Sequence, residues 1–95
     1  MAYEIRLTDH AREDFLALDA RWRSGVKAAM EAHLRHRPAK ESKSRIKRLR
    51  GVQKADYRLR VGDYRVFYSV DAARCRVDVL RVLHKRQTAE FYEEE

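Results

Sequence analysis

The chain opens on an alternation. In "AYEIRLT" the apolar Tyr3, Ile5 and Leu7 are separated by Glu4 and Arg6, the period of a short half-buried strand. The period then lengthens. Thr8 or Asp9 can cap a helix whose apolar positions are Ala11, Phe15 and Leu18, with Glu13 and Asp14 near its positive start. Trp22, Val26, Ala29, Met30, His33 and Leu34 recur at helical spacing up to Pro38, which no helix continues through. The break between the two helices falls around Asp19 to Arg23. An antiparallel pair of this length can cover one face of a sheet.

The polar "AKESKSR" reads as a loop into "RIKRLRG", a short strand ending at Gly51, and "GVQKAD" reads as a second loop. Then "YRLRVGDYRVFY" alternates on both sides of Gly62-Asp63. A two-residue hairpin turn there sets Val61 opposite Tyr64 and Arg60 opposite Arg65. Tyr57, Leu59, Val61, Tyr64, Val66, Tyr68 and Val70 share the side that must meet the helices. Arg58, Arg60, Arg65, Phe67 and Ser69 share the other. The final run, "RVDVLRVLH", is almost continuously apolar, as a central strand packed on both faces requires. If its alternation continues unbroken, His84 and Arg86 project to the arginine side. The order is that of an α+β domain spanning 1–95: an N-terminal strand, a helical hairpin, then an antiparallel-rich sheet of three to four strands.

Charge sharpens this picture. The chain carries 22 Lys and Arg against 15 Asp and Glu, a net +7. From Arg45 to Arg65 eight basic residues stand against Asp56 and Asp63, a local +6. Like charges directly opposite on a sheet repel, so the Arg60–Arg65 pair needs an anion to make sense. Guanidinium groups converging on one face suit the bidentate geometry of phosphate. That concentration implies a polyanionic partner, such as nucleic acid or an acidic protein, and Lys47, Arg48, Lys54, Arg58 and Arg60 are the candidate contacts, RNA-binding residues if the partner is RNA. The single cysteine, Cys75, excludes an internal disulfide framework and a cysteine-rich zinc site. No secretion signal or membrane-length apolar run is seen, so a cytoplasmic location and no membrane partner are expected.

The stretch "YRLRVGDYRVFYSV", followed by "VDVLRVLHKRQTAEFY", closely resembles the RelE/ParE superfamily of toxins, and the helical hairpin and chain length fit as well. The resemblance implies a compact α+β fold, a cognate antitoxin that wraps the toxin, and one of two activities. In the RelE-like branch the activity is ribosome-dependent cleavage of messenger RNA; in the ParE-like branch it is inhibition of DNA gyrase. By position in the motif, Arg65 resembles the phosphate-clamping arginine, Arg86 the C-terminal arginine, and Tyr92 a tyrosine that packs on or orients a base. No metal or other cofactor is expected, because arginines can supply the charge.

One departure bears on mechanism. Ribosome-dependent relatives often carry lysines where this chain has Asp56 and Arg58, and arginine does not give up its proton. His84 has the intrinsic pKa of a general base, with Lys54, Asp56 and Tyr92 behind it. Other residues have structural readings. Tyr57, Tyr64 and Tyr68 suit cross-strand packing, and Arg81 can pair with Asp78 or Glu90. His10, His33 and His36 lack the partners of a metal site.

Overall fold

The computed structural model describes residues 2–50 and 54–92. Strand β1 (Glu4–Leu7) leads into helices α1 (Asp9–Ala17) and α2 (Ala20–Leu34). Strands β2 (Ile46–Arg48), β3 (Tyr57–Val61), β4 (Tyr64–Asp71) and β5 (Arg76–His84) follow, then a 3₁₀ turn (Lys85–Gln87) and the one-turn helix α3 (Ala89–Tyr92). The five strands form one sheet in the order β1-β5-β4-β3-β2. All neighbours are antiparallel except β1, which runs parallel to β5. The expected α+β class holds, with four strands after the helices; β2 ends at Arg48, and Gly51 lies outside the described residues.

Both helix starts are capped by side chains. Thr8 accepts from the Ala11 N–H at 3.1 Å, and Asp19 accepts from the Trp22 N–H at 3.0 Å, each satisfying an orphan donor of the first turn. On α2 the stripe Trp22, Val26, Met30, Leu34 repeats every four residues and faces the sheet. It meets Leu59, Val61, Val66, Tyr68, Val77, Val79 and Val82 in the main core. Tyr57 and Tyr68 stack at 5.6 Å between centroids, and Tyr68 donates to the Pro38 carbonyl at 2.6 Å. The tyrosine therefore pins the loop beyond α2 to the sheet.

β5 does not alternate to its end. Phe67 stands opposite Arg81 while Tyr68 stands opposite Val79, so one extra residue enters β5 at Leu80. Such a bulge shifts every later side chain to the other face. Its position coincides with the end of β1. There Thr8 takes over, its N–H donating to the Val79 carbonyl at 3.0 Å and its hydroxyl to the Leu80 carbonyl at 3.2 Å. Asp14 then accepts from the Val82 N–H at 2.9 Å and from the Arg81 guanidinium at 2.7 and 3.0 Å. One carboxylate thus seals the exposed edge of β5.

Candidate functional site

The site begins at the hairpin turn. Gly62 has φ 57°, a conformation open to glycine, and a Cβ there would lie 2.7 Å from the Trp22 ring. The turn is therefore fixed twice, by backbone conformation and by contact. It sets Val61 against Tyr64 and Arg60 against Arg65, as the alternation predicts. The Arg60 N–H points to the Arg45 carbonyl at 2.9 Å, away from β4. Arg60 and Arg65 are consequently a non-hydrogen-bonded pair, the kind whose side chains start closest.

The repulsion is relieved by direction. Arg65 Nη1 donates to the carbonyls of Gly62 at 2.9 Å and Tyr64 at 3.0 Å, which draws its guanidinium toward the turn, while Arg60 stays exposed. In the next row Arg58 stands between its register partners Lys47 and Phe67. Arg58 donates through Nη1 to the Arg45 carbonyl at 3.2 Å. Its Nε is buried with no hydrogen-bond partner among the described residues. A buried guanidinium N–H left unmatched is costly. Lys47, Arg58, Arg60 and Arg65 so form one cationic patch at the hairpin end of the sheet.

The rest of this face is not polar. Phe67 is fully buried and stacks on Phe91 of α3, with centroids 4.1 Å apart and planes 10° from parallel. Leu83 and Ala55 complete a small second core, with Leu49 and Leu80 against it. Phe67, expected to share a polar face, is covered by α3. Phe91 was not foreseen in this role; its only signal was an aromatic residue between Glu90 and Tyr92 in the C-terminal tail.

His84 stands on the opposite side from the expected one. The extra residue at Leu80 puts it opposite Tyr64 on the helix side, while Leu83 takes the place opposite Arg65. Its ring meets Tyr64 edge-on at 5.3 Å, and Tyr64 meets Trp22 at 4.8 Å. Its Nδ1 accepts from the Arg86 N–H at 3.2 Å, and the Gln87 side chain accepts from the His84 N–H at 3.3 Å. His84 thus caps the 3₁₀ turn that carries Arg86. That turn is tied to the hairpin by the Lys85 N–H donating to the Asp63 carbonyl at 2.7 Å and by a Lys85–Asp63 ion pair at 3.4 Å. Arg65 and Arg86 are therefore held at the same end of the sheet.

The other candidates separate. Arg48 lies opposite Tyr57, with its guanidinium carbon 5.9 Å from the Tyr57 ring centre, so it leaves the Lys47–Arg58 side. Lys54 is paired with Glu90 at 2.9 Å, and this contact holds the Glu90 carboxyl below its ordinary value. Asp56 accepts from the Val70 N–H at 3.2 Å. Arg81 pairs first with Asp14 and then with Glu90 at 3.7 Å, whereas Asp78 goes to Arg76. Asp14 is the partner that the sequence reading missed. Tyr92 closes α3, and its side chain lies outside the described residues. Among the described residues no three His, Cys, Asp or Glu side chains gather into a metal site, and no helix is long and apolar enough to cross a membrane.

The helical hairpin on a five-stranded sheet is a fold this chain shares with solved RelE-type toxins. The ParE toxin of type II toxin–antitoxin systems matches as a family over residues 5–89, and the chain belongs to that family. Among solved structures it is similar to the RelBE2 toxin–antitoxin complex of Mycobacterium tuberculosis. The identity is 30%, the TM-score 0.76, and coverage 88% of this chain and 99% of the other. It is also similar to the RelE–RelB complex of Pyrococcus horikoshii OT3, at 24% identity and TM-score 0.74 over 92% and 99% of the two chains. The RelB–RelE complex of Methanococcus jannaschii follows at 23% identity and TM-score 0.64, over 85% and 91%. At those last two identities the likeness is one of fold. No curated protein sequence matches the chain.

Proposed function

We propose that this toxin cleaves messenger RNA in the ribosome and is held inactive by a cognate antitoxin. The observation that carries the reading is the Arg60–Arg65 pair, directly opposed beside Arg58 and Lys47. A phosphodiester lying across that patch turns the repulsion into binding energy. The ribose 2′-hydroxyl attacks the adjacent phosphorus in line. The 5′-oxygen leaves and takes a proton from water to become a hydroxyl, and a 2′,3′-cyclic phosphate remains. Arg65 and Arg86 would neutralise charge on the non-bridging oxygens, worth about 10²–10³ in rate per donor at such sites. Tyr92 would pack on or orient a base.

With His84 on the helix side, its part in this reading is positioning: it caps the turn that holds Arg86. The chain then supplies charge and orientation, and the 2′-hydroxyl proton leaves to water or to a group of the bound RNA. The solved complexes to which the chain is similar are each a toxin with its antitoxin, which supports an antitoxin partner here.

The alternative is gyrase inhibition without catalysis. It is favoured by the ParE family match and by the absence of His84 from the cationic face. Induction followed by primer extension on messenger RNA, with gyrase-linked DNA breaks measured in parallel, separates the two. Cut messages that disappear in Arg65→Ala support cleavage. Intact messages with accumulating DNA breaks replace it with the gyrase reading.

A further inference from the structure

A second basic site lies away from the cationic patch. The end of α2 and the loop leading to β2 line an open surface pocket of about 390 Å³. Its lining includes His33, His36, Arg37, Lys40, Glu41 and Arg45. Among the described residues no acid comes within ion-pairing distance of Arg37, Lys40 or Arg45. The one acid in the lining, Glu41, turns an oxygen to the Arg48 N–H at 3.2 Å.

These cations stand on a braced loop. Ser42 Oγ accepts from the N–H groups of Arg45 and Ile46, both at 3.1 Å, and the Tyr68 hydroxyl holds the Pro38 carbonyl from below. A volume of this order matches ordinary ligand clefts. The pocket also meets the sheet face at one residue, because the Arg45 carbonyl receives both the Arg58 guanidinium and the Arg60 N–H.

We propose that this pocket binds a phosphate of an RNA backbone that continues from the cationic sheet face around the β2 edge. Three cations facing one pocket repel one another until an anion enters, and the two imidazoles can take up protons beside that anion. The groups facing the imidazoles are Arg37, Lys40, Glu41 and Arg45. Burial, and then the Arg45 charge, hold His33 below the ordinary histidine value. A bound phosphate reverses the local field and favours the protonated ring, so binding takes up protons and tightens as pH falls. The inference rests on the RNA-binding part of the proposed function but not on cleavage, so it stands whether or not the toxin cuts the RNA it binds.

The test is an NMR titration of the histidine ring protons in the intact chain. One arm uses inorganic phosphate; the other uses a short 2′-O-methyl oligoribonucleotide, which cannot be cleaved. The oligonucleotide is expected to shift the His33 and His36 signals and to raise the His33 titration midpoint. Arg37→Gln/Arg45→Gln should weaken oligonucleotide binding about ten-fold and lower its salt slope by about 2. Should that double variant melt early, Lys40→Gln at an exposed position gives the same reading with a slope change of about 1. Shifts with both probes, or with the oligonucleotide alone, support the site. Shifts with inorganic phosphate alone make it a small-anion pocket and overturn the RNA anchor. Silence with both probes, or shifts unchanged in the variants, overturns it altogether. Arg65→Ala should leave the histidine shifts in place, so failure of the cleavage reading stays separate.

Discussion

The opposed arginines can be weighed by a double-mutant cycle with Arg60→Gln and Arg65→Gln. A non-hydrogen-bonded cross-strand pair starts about 4.5 Å apart at Cα, and the bonds to the Gly62 and Tyr64 carbonyls draw the Arg65 charge toward the turn. At a charge separation of roughly 8 Å in a water-like dielectric the repulsion is about 0.5 kcal/mol, and 0.1 M salt cuts it to about half. Either single substitution removes the whole repulsion. The double variant therefore gains nothing from the second change, and the coupling is repulsive. The bonds that Arg65 loses from the turn cancel in the cycle.

In thermal melts this amounts to about 2–4 °C of coupling at low salt and under about 1 °C in 1 M salt. Arg60→Gln alone should melt slightly above wild type. The same cycle read by anisotropy of a bound 2′-O-methyl oligonucleotide should change sign, because a phosphate between the guanidiniums needs both. A stability coupling near zero at low salt, or one that 1 M salt leaves intact, would refute the electrostatic reasoning. Repulsion in the free protein without cooperation in the complex would refute the phosphate reading alone.

Three further outcomes follow from the geometry. Gly62→Ala meets both a positive φ and the Trp22 ring, and should cost about 2 kcal/mol in denaturant melts; an unchanged midpoint would mean that the turn rearranges freely. Tyr68→Phe leaves the buried Pro38 carbonyl unpaired and should cost about 1–2 kcal/mol at neutral pH. Burial raises the Tyr68 pKa above its ordinary value, so the native state favours the neutral phenol. That contribution is complete below the unfolded pKa of about 10 and is lost as pH rises beyond it, so Tyr68→Phe should lose less stability than wild type between neutral and strongly alkaline pH. His84→Asn, which keeps an acceptor at the head of the 3₁₀ turn, should retain most growth inhibition, whereas His84→Ala should lose about ten-fold through a displaced Arg86; a pH-dependent rate step that both variants abolish would instead make His84 the base.

The legible parts of this chain are those where one face is wet. Around Gly62-Asp63 every second residue is charged, so the phase of the hairpin is written in the sequence, and Arg60 met Arg65 as expected. Thr8 is legible for a similar reason, since a short oxygen-bearing side chain ahead of a helical stripe has a local partner, and Asp19, read only as the start of the break between the helices, caps α2 in the same way. Neither signal reaches across the fold. That β1 pairs with β5, and that Phe91 covers Phe67, depends on contacts between segments far apart in the chain.

β5 shows where local reasoning stops and why the site was misplaced there. In "RVDVLRVLH" apolar residues face both layers, so the run carries no phase, and nothing in it marks Leu80 as the extra residue. The phase is set from outside. β1 ends opposite Val79, and beyond it the β5 edge needs new acceptors for its N–H groups. Asp14 supplies one to Val82 while holding the Arg81 guanidinium, immediately after the bulge at Leu80. Val82 then returns to the core, Leu83 falls opposite Arg65, and His84 falls opposite Tyr64. The contacts of an acid on the first helix, read from the sequence for the helix dipole alone, thus coincide with the bulge that puts the histidine on the helix face.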